Sequence, residues 1–185
     1  LPEYIGAMGP ILTIHTKRGR ALLDRLARPK RLWRLWGNFG LGFALVVLVG
    51  LFALLLRNAI QVVRNPPAPS AANQPQNFLV IPGVNEFLPL AVAPEIAAGL
   101  FLGMVVHEGG HGILSRVEDI DVESLGIALL AVVPIGAFVE PNEESVHATD
   151  RGAQARMFAA GVSNNFLLTV LAFGLLFGPV VGSIA

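Results

Sequence analysis

Five consecutive residues, His107-Glu108-Gly109-Gly110-His111, have the types and spacing from which hydrolytic metal chemistry can be built. Positions i and i+4 of a helix share a face, so the two imidazoles can hold one divalent ion. Glu108, about 100° around the helix, addresses a water on that ion. Zinc suits two histidines and a carboxylate, keeps a fourth position open in catalytic sites, and lowers the pKa of its water to about 7. Glu108 then acts as general base, taking the water's proton and passing it to a leaving amine. Gly109 and Gly110 each cost about 0.8–1.0 kcal/mol relative to Ala inside a helix. Two readings offset that cost: room for an extended substrate beside the metal, or close approach of another helix.

The elements that must position this cluster are apolar. Of 185 residues, 54% are hydrophobic and 14% charged, and 13 basic side chains balance 13 acidic ones. An ordinary soluble domain carries about 25% charge, and disorder requires still fewer apolar residues. With a mean hydropathy of +0.63, the chain reads as an integral membrane protein, expected in the cell membrane. At mid-membrane an ionisable side chain costs roughly 2.5–3.5 kcal/mol, so three on one apolar helix point to function rather than to helix-end polar groups bonding carbonyls. The absence of cysteine excludes disulfides, thiolate catalysis and cysteine-bound metals. Any metal must rest on histidine and carboxylate. Walker and Rossmann glycine patterns are absent.

Residues 1–36 hold eight basic side chains, from Lys17 to Arg34, against Glu3 and Asp24. Interleaved with Leu22, Leu26, Leu32, Trp33 and Trp36, they read as a cytoplasmic segment lying against lipid headgroups, not as a nucleic-acid surface. Residues 37–58 form the first transmembrane helix, since Phe39 to Leu56 are 18 residues without a charge. Residues 59–90, with Pro66, Pro67, Pro69 and Pro75, read as an extracytoplasmic loop. A second apolar helix is expected from Pro94 to about Ser115, carrying the histidines. Leu125 to Val139 is short for a span and interrupted by Pro134 and Gly136, so residues 124–140 read as re-entrant, with Gly136, Ala137, Phe138 and Val139 extended. A last transmembrane helix is expected over 157–178. Gly99/Gly103 and Gly174/Gly178 are spaced for close helix approach. The expected fold is an all-α membrane protein with three transmembrane helices plus a re-entrant segment and a short β element.

Three segments in this order resemble the site-2 protease family of intramembrane zinc metalloproteases, in its archaeal and eukaryotic-like branch. They are Val106-His107-Glu108-Gly109-Gly110-His111-Gly112, Gly136-Ala137-Phe138-Val139-Glu140, and Ala160-Gly161-Val162-Ser163-Asn164-Asn165-Phe166. The resemblance, over roughly residues 79–178, implies His107 and His111 as zinc ligands and Glu108 as general base. It further implies residues 136–139 as the strand that pairs with an unwound substrate, and Asn165 as a substrate-handling or oxyanion residue. By its own chemistry Asn165 could equally form a helix–helix hydrogen bond. Val162 stands where the family often has proline. The family's third ligand, an aspartate in a later Leu-Asp-Gly-like motif, and its PDZ domain are absent by Ala185, so the chain, with residues 179–185 as a truncated end, reads as part of a longer protein. Glu140 is the in-chain alternative for that ligand. His15 and His147 read as solvated, as do Glu140, Glu143, Glu144 and Asp150. The implied partners are membrane-spanning substrate proteins and the bilayer, with no nucleic acid. Two alternatives stand beside the protease: a catalytically silent member that binds transmembrane helices, and a proton-relaying transporter subunit.

Overall fold

The computed structural model of the chain describes residues 5–8, 11–68, 70–130, 133–180 and 182. They form two compact units, Leu1–Ala44 with Phe101–Ala185, and Leu45–Leu100. Two long helices, α2 (Lys30–Arg64) and α3 (Ala93–Val117), run through both.

The larger unit begins with strands β1 (Ile5–Met8) and β2 (Ile11–His15) and a short helix, α1 (Lys17–Leu26). Thr16 caps α1, its Oγ1 accepting from the Gly19 N–H at 3.4 Å. After the end of α3 come β3 (Val122–Leu130), β4 (Val133–Pro141), α4 (Glu143–Ala148) and α5 (Arg151–Leu175), which closes in a π-helical turn over Leu176–Val180. Asp150 caps α5 by accepting from the Ala153 N–H at 3.0 Å. That added N-terminal turn and a half, residues 151–156, lengthens the helix expected from Met157.

The four strands form one antiparallel sheet in the order β1-β2-β3-β4. The chain is mostly helical with a small β element, as expected, but that element is larger than expected: β3 and β4 make residues 124–140 a hairpin within the four-stranded sheet. Each strand satisfies its neighbour's backbone groups, so the polypeptide needs no helical partner to bury them. Leu125 faces Val139, Ile127 faces Ala137 and Ala128 faces Gly136, with a bulge between Ala128 and Leu129. On the other side β3 pairs with β2, Thr13 opposite Ala128 and Ile14 opposite Ile127. Residues 136–139 are extended, as expected.

The core lies where α1, the end of α3 and the start of α5 meet. Leu23, Ala27, Ile113, Leu114, Val117, Ile120, Met157 and Ala160 are buried there, with Trp33, Leu125 and Val146 packed against them. Beside it, the carboxylate of Glu118 is buried between two guanidinium groups. Arg156 Nε donates to its Oε1 at 2.7 Å and Arg34 Nε to its Oε2 at 3.3 Å, tying α2 and α5 to the end of α3. Charge-assisted bonds of this kind are worth about 1.5–3 kcal/mol each. Asp119 then adopts φ 60°, and the Ile120 N–H reaches back to the Ser115 carbonyl at 2.8 Å, terminating α3.

Helix α2 packs on α5 through small residues. Gly37 lies under Arg156 and Leu114, and Gly40 is so close to Ser163 that a β-carbon there would overlap its hydroxyl. Phe43 and Phe166 continue the seam, ring centroids 4.1 Å apart. By contrast, Gly103, Gly174 and Gly178 have open space beside them among the described residues, so the expected close approach is made elsewhere.

In the second unit, every described residue of α2 from Leu45 onward is exposed, although the segment is almost wholly apolar to Leu56. Three helical segments, Lys30–Arg64, Leu90–Val117 and Arg151–Gly178, are long and apolar enough to cross a membrane. The proline-rich connection ends in a knot made by asparagines. Buried Asn85 donates from Nδ2 to the carbonyls of Asn77 and Leu79, both at 2.9 Å, and its Oδ1 accepts from the Phe87 N–H at 2.8 Å.

Candidate active site

The histidine-bearing stretch of α3 is helical throughout, and its face is matched by one line of residues on α5. Met157, Gly161 and Asn165 follow at four-residue intervals and so share a side of that helix. They meet α3 in antiparallel sense. His111 lies beside Met157 and His107 beside Asn165, with Gly161 against both imidazoles.

His107 and His111 stand one turn apart, ring centroids 4.9 Å apart and planes at 72°. The Nδ1 atom of His111 is 2.8 Å from the Met157 carbonyl oxygen. A carbonyl only accepts, so Nδ1 carries the proton and Nε2 presents a lone pair. Gly161 is what leaves room for both rings. A β-carbon at Gly161 would lie 2.5 Å from His107 Nε2 and 2.6 Å from His111 Nε2. Both imidazoles therefore pack against the backbone of Gly161, which brings their Nε2 atoms to one place on α5 that carries no side chain. The donor chemistry and this cradle fit a zinc ion held by His107 and His111. Among the described residues no group of three or more His, Asp, Glu or Cys converges on a metal position.

Glu108 lies on the neighbouring face of α3, half-buried, and its Oε2 accepts from the Val139 N–H at 3.1 Å. That bond fixes the orientation of β4. With Val139 turned away from β3, alternation turns the N–H and C=O of Ala137 to the same open edge, while Gly136 and Phe138 bond to β3. The Leu125 carbonyl, opposite Val139, accordingly bonds to Thr16 N–H at 3.0 Å on the far side. Gly136 is buried where its lack of a side chain admits the Met104 thioether, and Val139 packs against Gly112. Glu140 points elsewhere, its exposed carboxylate accepting from Ser124 Oγ at 2.7 Å.

The two helix glycines separate. Gly110 is buried against the Ala160 carbonyl and Asn164, so its role is helix packing, whereas Gly109 has nothing within 4 Å on its Cβ side. Asn165 reaches the histidine pair, its Nδ2 3.3 Å from His107 Nδ1. Its neighbour Asn164 accepts from Trp36 Nε1 at 2.8 Å. Trp36 and Gly161 were not evident as site-supporting residues from sequence. Only the i, i+4 spacing of Gly161 with Asn165 hinted at a shared face. His15, expected in solvent, instead bonds Thr13 Oγ1 at 3.1 Å and meets Phe138 edge-on, centroids 5.3 Å apart.

Over 183 residues the chain is 31% identical to an uncharacterized protein of Methanocaldococcus jannaschii, a match covering 95% of this chain and 45% of that relative. The chain thus spans about half the length of the curated relative it matches. No solved structure matches it. Residues 95–182, which contain α3, the β3–β4 hairpin and α5, match the profile of peptidase family M50. Over those residues the chain is thus similar to the membrane-embedded, site-2 protease-type metallopeptidases of that family.

Proposed function

We propose that this chain carries the catalytic helix of a zinc-dependent endopeptidase that hydrolyses peptide bonds within membrane-spanning segments of other proteins. The observation that carries the reading is that His107 Nε2 and His111 Nε2 come together at one place against Gly161, with Glu108 next to His107 in the chain. His107 and His111 are the residues that would hold the metal. When bound, zinc supplies Lewis acidity and makes a water acidic near neutral pH. Glu108 removes a proton from the attacking water and delivers it to the departing amine.

A transmembrane helix hides its peptide groups in its own hydrogen bonds, so hydrolysis needs a replacement partner for an unwound stretch. The open edge of β4 at Ala137 and Val139 supplies donors and acceptors for such a strand. The Val139 N–H now bonded to Glu108 lies on that edge, which puts the paired backbone and the base side by side. Regulated release of membrane-tethered factors at the cell membrane, with residues 1–36 on the cytoplasmic side, is the cellular role that follows from this reading.

The test uses the full-length protein in detergent or vesicles with a transmembrane peptide. We expect cleavage inside the apolar segment, lost on treatment with a strong chelator and restored by stoichiometric zinc. Cleavage that survives complete metal removal contradicts the proposal.

A further inference from the structure

The two imidazoles of the candidate centre are held differently, and the difference identifies a positioning residue. His111 is set by the Met157 carbonyl, which fixes its proton on Nδ1 and frees Nε2. His107 faces the Asn165 amide nitrogen instead, Nδ2 to Nδ1 at 3.3 Å. An N–H pointed at Nδ1 requires that nitrogen to accept, which places the imidazole proton on Nε2. That is the nitrogen which, with His111 Nε2, flanks the space over Gly161. In this orientation one of the two donors is blocked. The same amide also leaves Oδ1 of Asn165 buried without a hydrogen-bond partner among the described residues.

The blocked donor has a simple remedy. The carboxamide of asparagine has nearly the same shape when turned by 180°, and the turn exchanges its oxygen and nitrogen. We propose that in the metal-competent state Asn165 presents Oδ1 to His107, accepting from Nδ1–H and fixing the tautomer that offers Nε2 to the metal. Asn165 is then to His107 what the Met157 carbonyl is to His111. The two acceptors stand eight residues apart on one face of α5, with Gly161 midway, so a single helix face orients both ligands and leaves the opening between them. A second consequence follows from the turn. Nδ2 moves to the side where Oδ1 was unpartnered, and a buried N–H there is a donor available to a peptide carbonyl.

This inference rests on the zinc reading of the site, and its test separates the two. Zinc affinity of the full-length protein is measured by chelator competition for the wild type and for Asn165→Ala, Asn165→Leu and Asn165→Asp. Removing an acceptor that orients a metal-binding histidine lowers affinity about 10–100-fold, so that loss is expected for the Ala and Leu variants. The nearly isosteric Asp retains an acceptor and is expected to hold zinc at least as tightly as the wild type. Selective nitrogen-15 labelling of histidine adds a signature that a purely structural role would not move. In zinc-loaded wild type His107 is expected to be protonated at Nδ1, and in the Leu variant that preference is expected to weaken. Wild-type affinity in the Ala and Leu variants overturns the proposal, as does an Asp variant that loses as much affinity as Ala. The Asp comparison stands even if the Ala variant does not fold. A wild-type protein that takes up no zinc overturns the zinc reading beneath it.

Discussion

Glu108→Gln lowers the rate of peptide cleavage by about 10²–10⁴-fold, the range for loss of a positioned general base, while zinc affinity stays close to that of the wild type. Glutamine preserves the size of the side chain and keeps a carbonyl oxygen that can accept from the Val139 N–H, now bonded to Glu108 Oε2 at 3.1 Å. The packing of β4 on α3 should therefore survive, along with the positions of His107 and His111. What glutamine lacks is a basic oxygen able to take a proton from water and return it to the amine. The measurement is single-turnover cleavage of a transmembrane peptide together with zinc content. Equal cleavage by both proteins removes Glu108 as base. Retained peptide binding with no cleavage even in the wild type favours the silent helix-binding alternative.

The second large effect is expected from the smallest change. Gly161→Ala adds one methyl group to a buried position in the middle of α5. Helix propensity alone would make this stabilising by about 0.8–1.0 kcal/mol. The added carbon, however, would lie 2.5 Å from His107 Nε2 and 2.6 Å from His111 Nε2, closer than non-bonded atoms can stay. Either the imidazoles rotate away or α5 shifts, and the convergence of the two nitrogens is lost in both cases. We expect zinc affinity to fall at least about 10-fold, the lower end of what disturbed outer partners of a metal site cost. Helical content and monodispersity should remain near wild type. Retention of full zinc affinity by this variant would mean that the imidazoles do not bind the metal from their positions against Gly161.

Much of this site was legible in the residues because its signals are local. The i, i+4 spacing of His107 and His111 needs only a helix, and the apolar run from Ile96 to Val106 supplies one. Long apolar stretches marked the same three helical regions that the structure contains, although α2 runs on to Arg64 and α5 starts at Arg151.

The sheet was harder to read. Leu125 to Val139 is an apolar run whose length and composition suit either a short buried helix or a pair of strands, and periodicity alone does not separate them. Its partner strands β1 and β2 lie more than a hundred residues earlier, before a basic segment that drew attention to the membrane surface instead. Interactions that depend on how α5 registers against α3 were likewise hidden. Gly110 against Ala160, Met157 against His111 and Gly161 against both histidines follow from an antiparallel pairing that no single helix encodes. Trp36 illustrates the same point. It reads as an interfacial anchor by its place beside a span, yet its indole N–H bonds to Asn164 on α5.

The central claim, that His107 and His111 together grip a metal ion, is tested most directly by zinc-edge X-ray absorption on the full-length protein purified from metal-replete medium. About one zinc per chain is expected, with two imidazole nitrogens at about 2.0–2.1 Å, and loss of that signal in both His107→Ala and His111→Ala. A wild-type protein without bound zinc, or a zinc signal unchanged when both histidines are replaced, would contradict it.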